Sequence, residues 1–214
     1  YDSEGIKNDE DIFDAIFRQL KTNNHKKFIY ALTISNHHPF VLSENYKPLP
    51  LNVPDRFKKH IRYKNLIAYQ YSCQKVGEFL TKLKKSKYAN NTIVAITGDH
   101  GSRGGIFNSG ISINRVTVPL YIYIPKKLMP ERQSINTSKI ISHIDIMPTL
   151  YELSLSKISY YSMGNNILNK NKYIAIAQDY SEALITDSDF TYKTKKSLCF
   201  INKYHNGIMT MYPC

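Results

Sequence analysis

Two strongly apolar runs separated by a long amphipathic stretch constrain the fold of this chain more than any other feature. Residues 27–34 and 91–97 are rich in β-branched and aromatic side chains, which is typical of buried strands. Between them, Ile61 and Leu80 belong to an apolar stripe at helical spacing that predicts a helix over residues 57–86. Buried strands that alternate with amphipathic helices favour an α/β fold, with a mixed, mostly parallel sheet sandwiched by helices.

The rest of the sequence predicts further helices and strands and a small β-rich portion at the C-terminal end. Asn8 and the acidic residues after it predict the start of a first helix. A third strand is predicted over residues 116–124, and an irregular helix over residues 140–153. Short β-like runs follow, and they predict a small C-terminal antiparallel portion within residues 168–214.

The net charge indicates a class of binding partner but does not identify one, and the cysteines allow at most one disulfide. The net charge is +12, from 29 Lys and Arg against 17 Asp and Glu, which favours phosphate esters, acidic lipid surfaces or nucleic acid. Nucleic acid is the weakest of these, because the lysines are scattered and no nucleic-acid motif occurs. No apolar run approaches the roughly 18 residues that cross a bilayer. The sequence allows a single disulfide between Cys199 and Cys214 but does not establish it.

Polar clusters follow directly after the two predicted buried strands. One is the Ser-Asn-His-His-Pro-Phe run of residues 35–40, and the other is Gly98-Asp99-His100-Gly101. Ligands collect at the carboxyl ends of strands in open α/β sheets, and the glycines allow a sharp turn there. Asp99 and His100 could therefore place a carboxylate and an imidazole on one borderline divalent cation such as zinc or manganese. An ordinary surface turn is the alternative for each cluster taken alone.

These clusters lie within blocks that resemble the alkaline phosphatase superfamily, specifically its sulfatase and lipoteichoic acid synthase branch. The run IVAITGDHG at residues 93–101 resembles the strand and Asp-His-Gly signature of that family, and ALTISNHHPF at residues 31–40 resembles its strand with a His-bearing turn. Further similar blocks occur in family order: DEDIF at 9–13, NTI at 91–93, VPL at 118–120 and SHIDIMPTL at 142–150.

The resemblance implies a metal-dependent enzyme. Asp99 and His100 would bind one divalent metal, Mn²⁺ or Zn²⁺, with Mg²⁺ and Ca²⁺ as alternatives. His37 would lie by the phosphoryl group of the substrate, and Arg103 could reach a phosphate. His38 is a neighbour that could replace His37, whereas His143 is expected to order a helix start rather than to contact metal.

The implied activity is transfer of phosphoglycerol or a related lipid head group through a covalent phospho-enzyme. The implied place is the cell membrane, with the catalytic domain on the extracytoplasmic side and an anchoring transmembrane region upstream of this chain. A positive charge suits an enzyme that handles anionic head groups. A sulfatase, and a non-catalytic module that binds anionic ligands with the same fold, are the alternatives.

The family's nucleophile and its first acidic metal ligand have no match in these residues. We therefore expect residues 1–214 to be the C-terminal part of a catalytic domain, cut from a longer chain and inactive by itself.

Overall fold

The computed structural model describes residues 5–23, 25–59, 61–101, 116–129, 140–154, 159–169, 174–179, 182–186, 190–195, 198–205 and 208–213. The chain divides into two compact units, Tyr1–Asn91 and Thr92–Cys214.

The first unit opens with helix α1, Asp9–Lys21. The side chain of Asn8 accepts the backbone N–H of Glu10 at 2.9 Å, and Asp11 accepts the backbone N–H of Asn8 at 3.1 Å. This reciprocal pair satisfies N–H groups that have no partner within a helix. The predicted helix start at Asn8 is confirmed.

The predicted long helix is also confirmed, although it is divided into a short helix α2, Asp55–Lys58, and helix α3, Ile61–Lys84. Helix α3 packs against α1, and Phe79 of α3 lies between Phe13 and Phe17, with ring centroids 4.9 and 5.4 Å apart. A short 3₁₀ turn, Ala89–Asn91, ends the unit. The buried core of this unit consists of Ile12, Phe17, Ala68, Tyr71, Phe79 and Leu83.

Residues 28–34 depart from the prediction. They form neither helix nor strand, and Phe28, Tyr30, Leu32 and Ile34 are 69, 79, 60 and 38% exposed. The buried strand predicted over residues 27–34 is therefore wrong, both as a strand and as a buried segment. An apolar run shows that a segment can be buried, but burial itself requires a covering neighbour from elsewhere in the sequence.

The second unit begins with a two-stranded antiparallel sheet. Strand β1, Val94–Thr97, pairs with β2, Leu120–Tyr123, so that Val94 faces Tyr123 and Thr97 faces Leu120. Strand β2 begins directly after Pro119, which cannot donate to a neighbouring strand. Among the residues described after β2 there are two 3₁₀ turns, Lys126–Leu128 and His143–Asp145. The second leads directly into helix α4, Ile146–Ser154. The helix predicted over residues 140–153 is thus confirmed for most of its length.

A five-stranded antiparallel sheet completes this unit. Its strands follow one another in chain order. They are β3, Ala175–Asp179; β4, Glu182–Thr186; β5, Phe190–Lys195; β6, Leu198–His205; and β7, Ile208–Pro213. The predicted C-terminal antiparallel portion is confirmed. All strand pairs within the described residues are antiparallel, so the predicted parallel pairing is not seen in this part of the chain.

Among the described residues, we find no helix with both the length and the apolar character needed to cross a membrane.

Candidate functional site

Asp99 and His100 lie in the loop that leaves strand β1. Gly98 connects this strand to the loop, and a β-carbon on Gly98 would come within 3.2 Å of the side chain of Val118. A larger residue would have to displace Val118, so glycine lets the chain turn close to its neighbour. The loop therefore begins at Gly98, where the backbone lies close to the side chain of Val118.

The ring of His100 is oriented by the backbone of the next residue. Its Nδ1 lies 2.8 Å from the carbonyl oxygen of Gly101. Because a carbonyl oxygen can only accept, Nδ1 carries the proton, and in the neutral ring the lone pair is on Nε2. Metal-binding histidines commonly donate their second nitrogen to a carbonyl group in this way, which fixes both the tautomer and the ring orientation.

Nε2 of His100 lies near the carboxylate of Asp99. The distance from His100 Nε2 to Asp99 Oδ2 is 3.5 Å, and the side chains are 48% and 70% exposed. Two ligands that bind a tetrahedral zinc ion at about 2.1 Å lie about 3.4 Å apart, so this separation suits a shared cation. Two acceptors facing each other repel unless a cation or proton lies between them. The donor set therefore fits a divalent metal.

This pair would supply two ligands, and a metal site needs more. Within the parts of the chain that the structure describes, no group of three or more His, Cys, Asp or Glu side chains could hold a metal ion.

His143 contacts the same loop, although no local feature of the sequence predicts this contact. Its Nε2 lies 2.9 Å from the carbonyl oxygen of Gly98 and 3.4 Å from Oγ1 of Thr97. The expectation that His143 would order a helix start holds only for its backbone, which opens the 3₁₀ turn before α4. Its side chain reaches back across 45 positions of sequence to the end of strand β1.

Buried Asp145 supports the backbone around His143. Its carboxylate accepts the backbone N–H of Ser142 at 2.9 Å and that of Asn165 at 2.8 Å. Asp145 is only 2% exposed, so its charge is compensated by hydrogen bonds rather than by water. The Ser-x-x-Asp spacing is the sequence signal that could have identified this turn.

His37 lies in a tight turn of the first unit. The backbone N–H of His37 donates to the carbonyl oxygen of Ile34 at 3.0 Å. The backbone N–H of Phe40 donates to the carbonyl oxygen of His37 at 2.7 Å. Nδ1 of His37 lies 2.8 Å from the carbonyl oxygen of His38, so this nitrogen is the donor and the neutral ring keeps its lone pair on Nε2. His38 instead packs edge to face against Phe40, with ring centroids 5.8 Å apart.

A buried carboxylate also anchors the turn that carries His37. One oxygen of Asp9 accepts the backbone N–H groups of Ile34 and Ser35, both at 2.8 Å, and the other accepts the hydroxyl of Ser72 at 2.6 Å. The hydroxyl of Ser35 accepts the backbone N–H of Asp9 at 3.0 Å in return. Asp9 and Ser35 are fully buried. From the sequence, Asp9 is recognisable only as a carboxylate in the first turn of a helix, and no local signal indicates this second role.

The predicted site residues thus belong to two units. Asp99 and His100 converge in the second unit, where His143 joins their loop, and His37 lies in the first. Arg103 and Cys214 lie outside the described residues, and the side chain of Cys199 does as well.

The comparisons with known proteins establish the family. The Sulfatase family model matches residues 1–154, and the chain belongs to this family.

Curated relatives include both sulfatases and a lipoteichoic acid synthase. Lipoteichoic acid synthase 1 of Bacillus subtilis is 23% identical over 78% of this chain and 27% of its own length. The iduronate 2-sulfatase of Mus musculus is 30% identical over 36% of this chain and 15% of its own. The ulvan-active sulfatase of Formosa agariphila is 32% identical over 50% of this chain and 18% of its own length. The chain therefore spans roughly a quarter or less of these relatives.

Solved structures confirm the fold class. An alkaline phosphatase superfamily protein of Vibrio parahaemolyticus superposes with a TM-score of 0.76 at 22% identity, covering 97% of this chain and 49% of that structure. The lipoteichoic acid synthase LtaP of Listeria monocytogenes superposes with a TM-score of 0.73 at 20% identity. The match covers 95% of this chain and 53% of that structure. The fold is thus the α/β fold of the alkaline phosphatase superfamily, and the chain spans about half of each structure.

Proposed function

We propose that this chain is the C-terminal part of the catalytic domain of a metal-dependent enzyme that transfers phosphoglycerol or a related head group between phosphate esters. The observation that carries the proposal is the convergence of Asp99 Oδ2 and His100 Nε2, 3.5 Å apart at the end of strand β1. The proposed place of the reaction is the extracytoplasmic side of the cell membrane, reached through a transmembrane region outside these residues.

In this proposal Asp99 and His100 hold one divalent metal, Mn²⁺ or Zn²⁺. When bound, such an ion lowers the pKa of an attacking hydroxyl and neutralises the oxygens of the phosphoryl group. The remaining metal ligands and the hydroxyl nucleophile come from outside the matched blocks. The carbonyl of Gly101 keeps His100 in the tautomer that the metal requires.

His37 is proposed to act on the phosphoryl group. Its Nε2 can accept a proton, and the protonated ring can donate to a non-bridging oxygen or to the leaving oxygen. In the first step the hydroxyl nucleophile gives up its proton as its oxygen bonds to phosphorus, and the leaving alkoxide departs and takes up a proton. In the second step the acceptor alcohol gives up its proton as its oxygen bonds to phosphorus, and the enzyme's oxygen departs and takes up a proton. The backbone N–H groups of Ile34 and Ser35, which donate to the carboxylate of Asp9, anchor the turn that carries His37 for this task.

Two observations favour transfer over sulfate ester hydrolysis, the second candidate. The match to the lipoteichoic acid synthase covers 78% of the chain, whereas the two sulfatase matches cover 36% and 50%. The net charge of +12 suits work beside an anionic bilayer. The sulfatases, in turn, reach 30% and 32% identity, which keeps sulfate esters as the alternative substrate class.

The exposed segment of residues 28–34 supports the proposal that the chain is one part of a domain. Its large apolar side chains are 38 to 79% exposed, and such a segment is normally covered in a complete domain. Coverage of 49% and 53% of the two solved structures is consistent with this view.

The test is a metal titration of the protein that contains this chain. We expect Mn²⁺ or Zn²⁺ to bind, and Asp99→Ala and His100→Ala each to raise the Kd by roughly tenfold or more, because each removes one ligand. Asp55→Ala and His25→Ala are matched controls, since both side chains are exposed and far along the sequence from the loop. Unchanged metal affinity in both site variants would overturn the proposal.

Substrate class needs a separate measurement. Turnover of a glycerophospholipid head group by the same protein, lost in Asp99→Ala, would support transfer. Turnover of a sulfate ester alone would instead favour a sulfatase. Binding of anionic vesicles without metal and without turnover would indicate a non-catalytic module.

A further inference from the structure

A histidine outside the predicted site holds the peptide group that leads into it. Nε2 of His143 lies 2.9 Å from the carbonyl oxygen of Gly98. We propose that His143 is a positioning residue for the Asp99 and His100 pair, an inference that rests on the proposed metal-binding function of that pair.

The geometry explains how one hydrogen bond can act on Asp99. A peptide group is planar, so the Gly98 carbonyl and the N–H of Asp99 form one rigid unit. Holding the oxygen of this unit fixes the direction in which the chain enters Asp99. The hydroxyl of Thr97, 3.4 Å from the same ring nitrogen, lies beside the contact.

The tautomer of His143 follows from the identity of its partner. A carbonyl oxygen accepts and cannot donate, so Nε2 of His143 carries the proton. That nitrogen is directed at the backbone rather than at a cation. A glutamine side chain can present an N–H group at a similar reach, whereas alanine cannot.

The position of His143 is itself determined by buried groups. Asp145 accepts the backbone N–H of Ser142 on one side and that of Asn165 on the other. The hydroxyl of Ser142 also lies 3.2 Å from the carbonyl oxygen of Ile176 at strand β3. His143 therefore extends from a well-anchored turn to a loop whose two functional side chains are exposed, which is where an additional restraint has the greatest effect.

The first measurement is metal affinity in the protein that contains this chain. We expect His143→Ala to raise the Kd for Mn²⁺ or Zn²⁺ on the order of tenfold, the effect typical of groups that orient metal ligands. His143→Gln should restore most of the affinity, because its amide can donate to the same carbonyl. His25→Ala is the control, since His25 is exposed and lies in the first unit.

The second measurement needs no metal. Backbone ¹⁵N relaxation of the protein that contains this chain should give order parameters of about 0.85 at Asp99 and His100, and values below about 0.6 in His143→Ala. His143→Gln should recover the wild-type values. Long-range ¹H–¹⁵N spectra should show the proton of His143 on Nε2.

Several outcomes would overturn the inference. His143→Ala could lower the melting temperature without changing the Kd or the order parameters, which would leave only a structural role. His143→Gln could restore loop order but not metal affinity, which would make the imidazole itself a ligand. If Asp99→Ala bound metal like the wild type, the proposed function would fall, and the order parameters would still decide whether His143 restrains the loop.

Discussion

At Gly164 the chain passes so close to Ile144 that a β-carbon would overlap the Ile144 carbonyl group. The next residue, Asn165, donates its backbone N–H to Asp145 at 2.8 Å. This stretch is therefore held against the turn that carries His143. Only glycine fits there, because the nearest atoms belong to backbone and cannot move aside as the end of a side chain can.

We predict that Gly164→Ala lowers the free energy of unfolding by about 1–3 kcal/mol, the usual cost of forcing atoms into a packed site. Gly77→Ala is the matched control, because Gly77 lies inside helix α3 and a β-carbon there would meet nothing within 4 Å. That variant should raise the free energy of unfolding by about 0.5–1 kcal/mol. Urea denaturation measures both, and changes of the same sign and size would contradict the prediction.

Between elements, Lys75 connects helices α1 and α3. Its Nζ lies 3.1 Å from Glu10 of α1 and 3.0 Å from Glu78 of its own helix. Burial acts to lower the pKa of Lys75, but its hydrogen bonds to Glu78 and Glu10 and their charges outweigh this effect, and the pKa is raised. Hydrogen bonds from Gln74 and Lys75 lower the pKa of Glu78.

These shifts predict how the contact depends on pH. A lowered pKa means that the contribution of Glu78 is fully present above its ordinary value of 4.5 and is lost as the pH falls through the folded value. The contribution of Lys75 is fully present below 10.5 and is lost as the pH rises through its raised folded value. Glu78 and Lys75 therefore both contribute fully to stability between pH 4.5 and pH 10.5.

We predict that Glu78→Gln reduces the loss of stability on acidification, because the variant has no carboxylate to protonate. The expected difference is a few tenths of a kcal/mol, since Glu78 is half-exposed and such pairs are weak. Urea denaturation between about pH 3 and pH 7 measures it. Glu44→Gln, at another exposed carboxylate, should keep the wild-type slope. An identical acid slope in Glu78→Gln and wild type would show that this pair does not contribute.

For the molecule as a whole, the exposed segment of residues 28–34 matters most. Tyr30 and Leu32 are 79% and 60% exposed within a run of high β propensity. Uncovered runs of this kind pair with copies of themselves in solution.

We predict that the chain alone associates with itself as its concentration rises, and that Tyr30→Lys with Leu32→Lys shifts the onset to roughly tenfold higher concentration. The added charges should not disturb folding, because both side chains are already exposed. Light scattering and sedimentation measure the effect. Tyr161→Lys, at an exposed tyrosine of the second unit, is the control and should change little. Equal association in the double variant and wild type would exclude this segment as the cause.

Much of this molecule was predictable from short stretches of sequence. The cap at Asn8, the apolar stripe of α3 and the run of short C-terminal strands all depend on neighbours a few residues away. The burial of residues 28–34 failed as a prediction because covering a segment depends on distant chain.

The same distinction applies to the candidate site. Asp99 and His100 are adjacent in sequence, and glycines on both sides indicated their common turn. The support from Asp9 was not predictable, since this carboxylate accepts hydrogen bonds from Ser35, 26 positions away, and from Ser72, 63 positions away.

By itself, then, the sequence determined the helices, the short strands and the adjacent carboxylate and imidazole, because local backbone preferences and side-chain spacing suffice for these. Only the tertiary structure decided that a carbonyl orients His100, that Asp9 anchors the His37 turn and that His143 contacts Gly98. The physical reason is that a hydrogen bond requires its two atoms within about 3 Å, and for Asp9 and His143 folding alone brings such distant partners together.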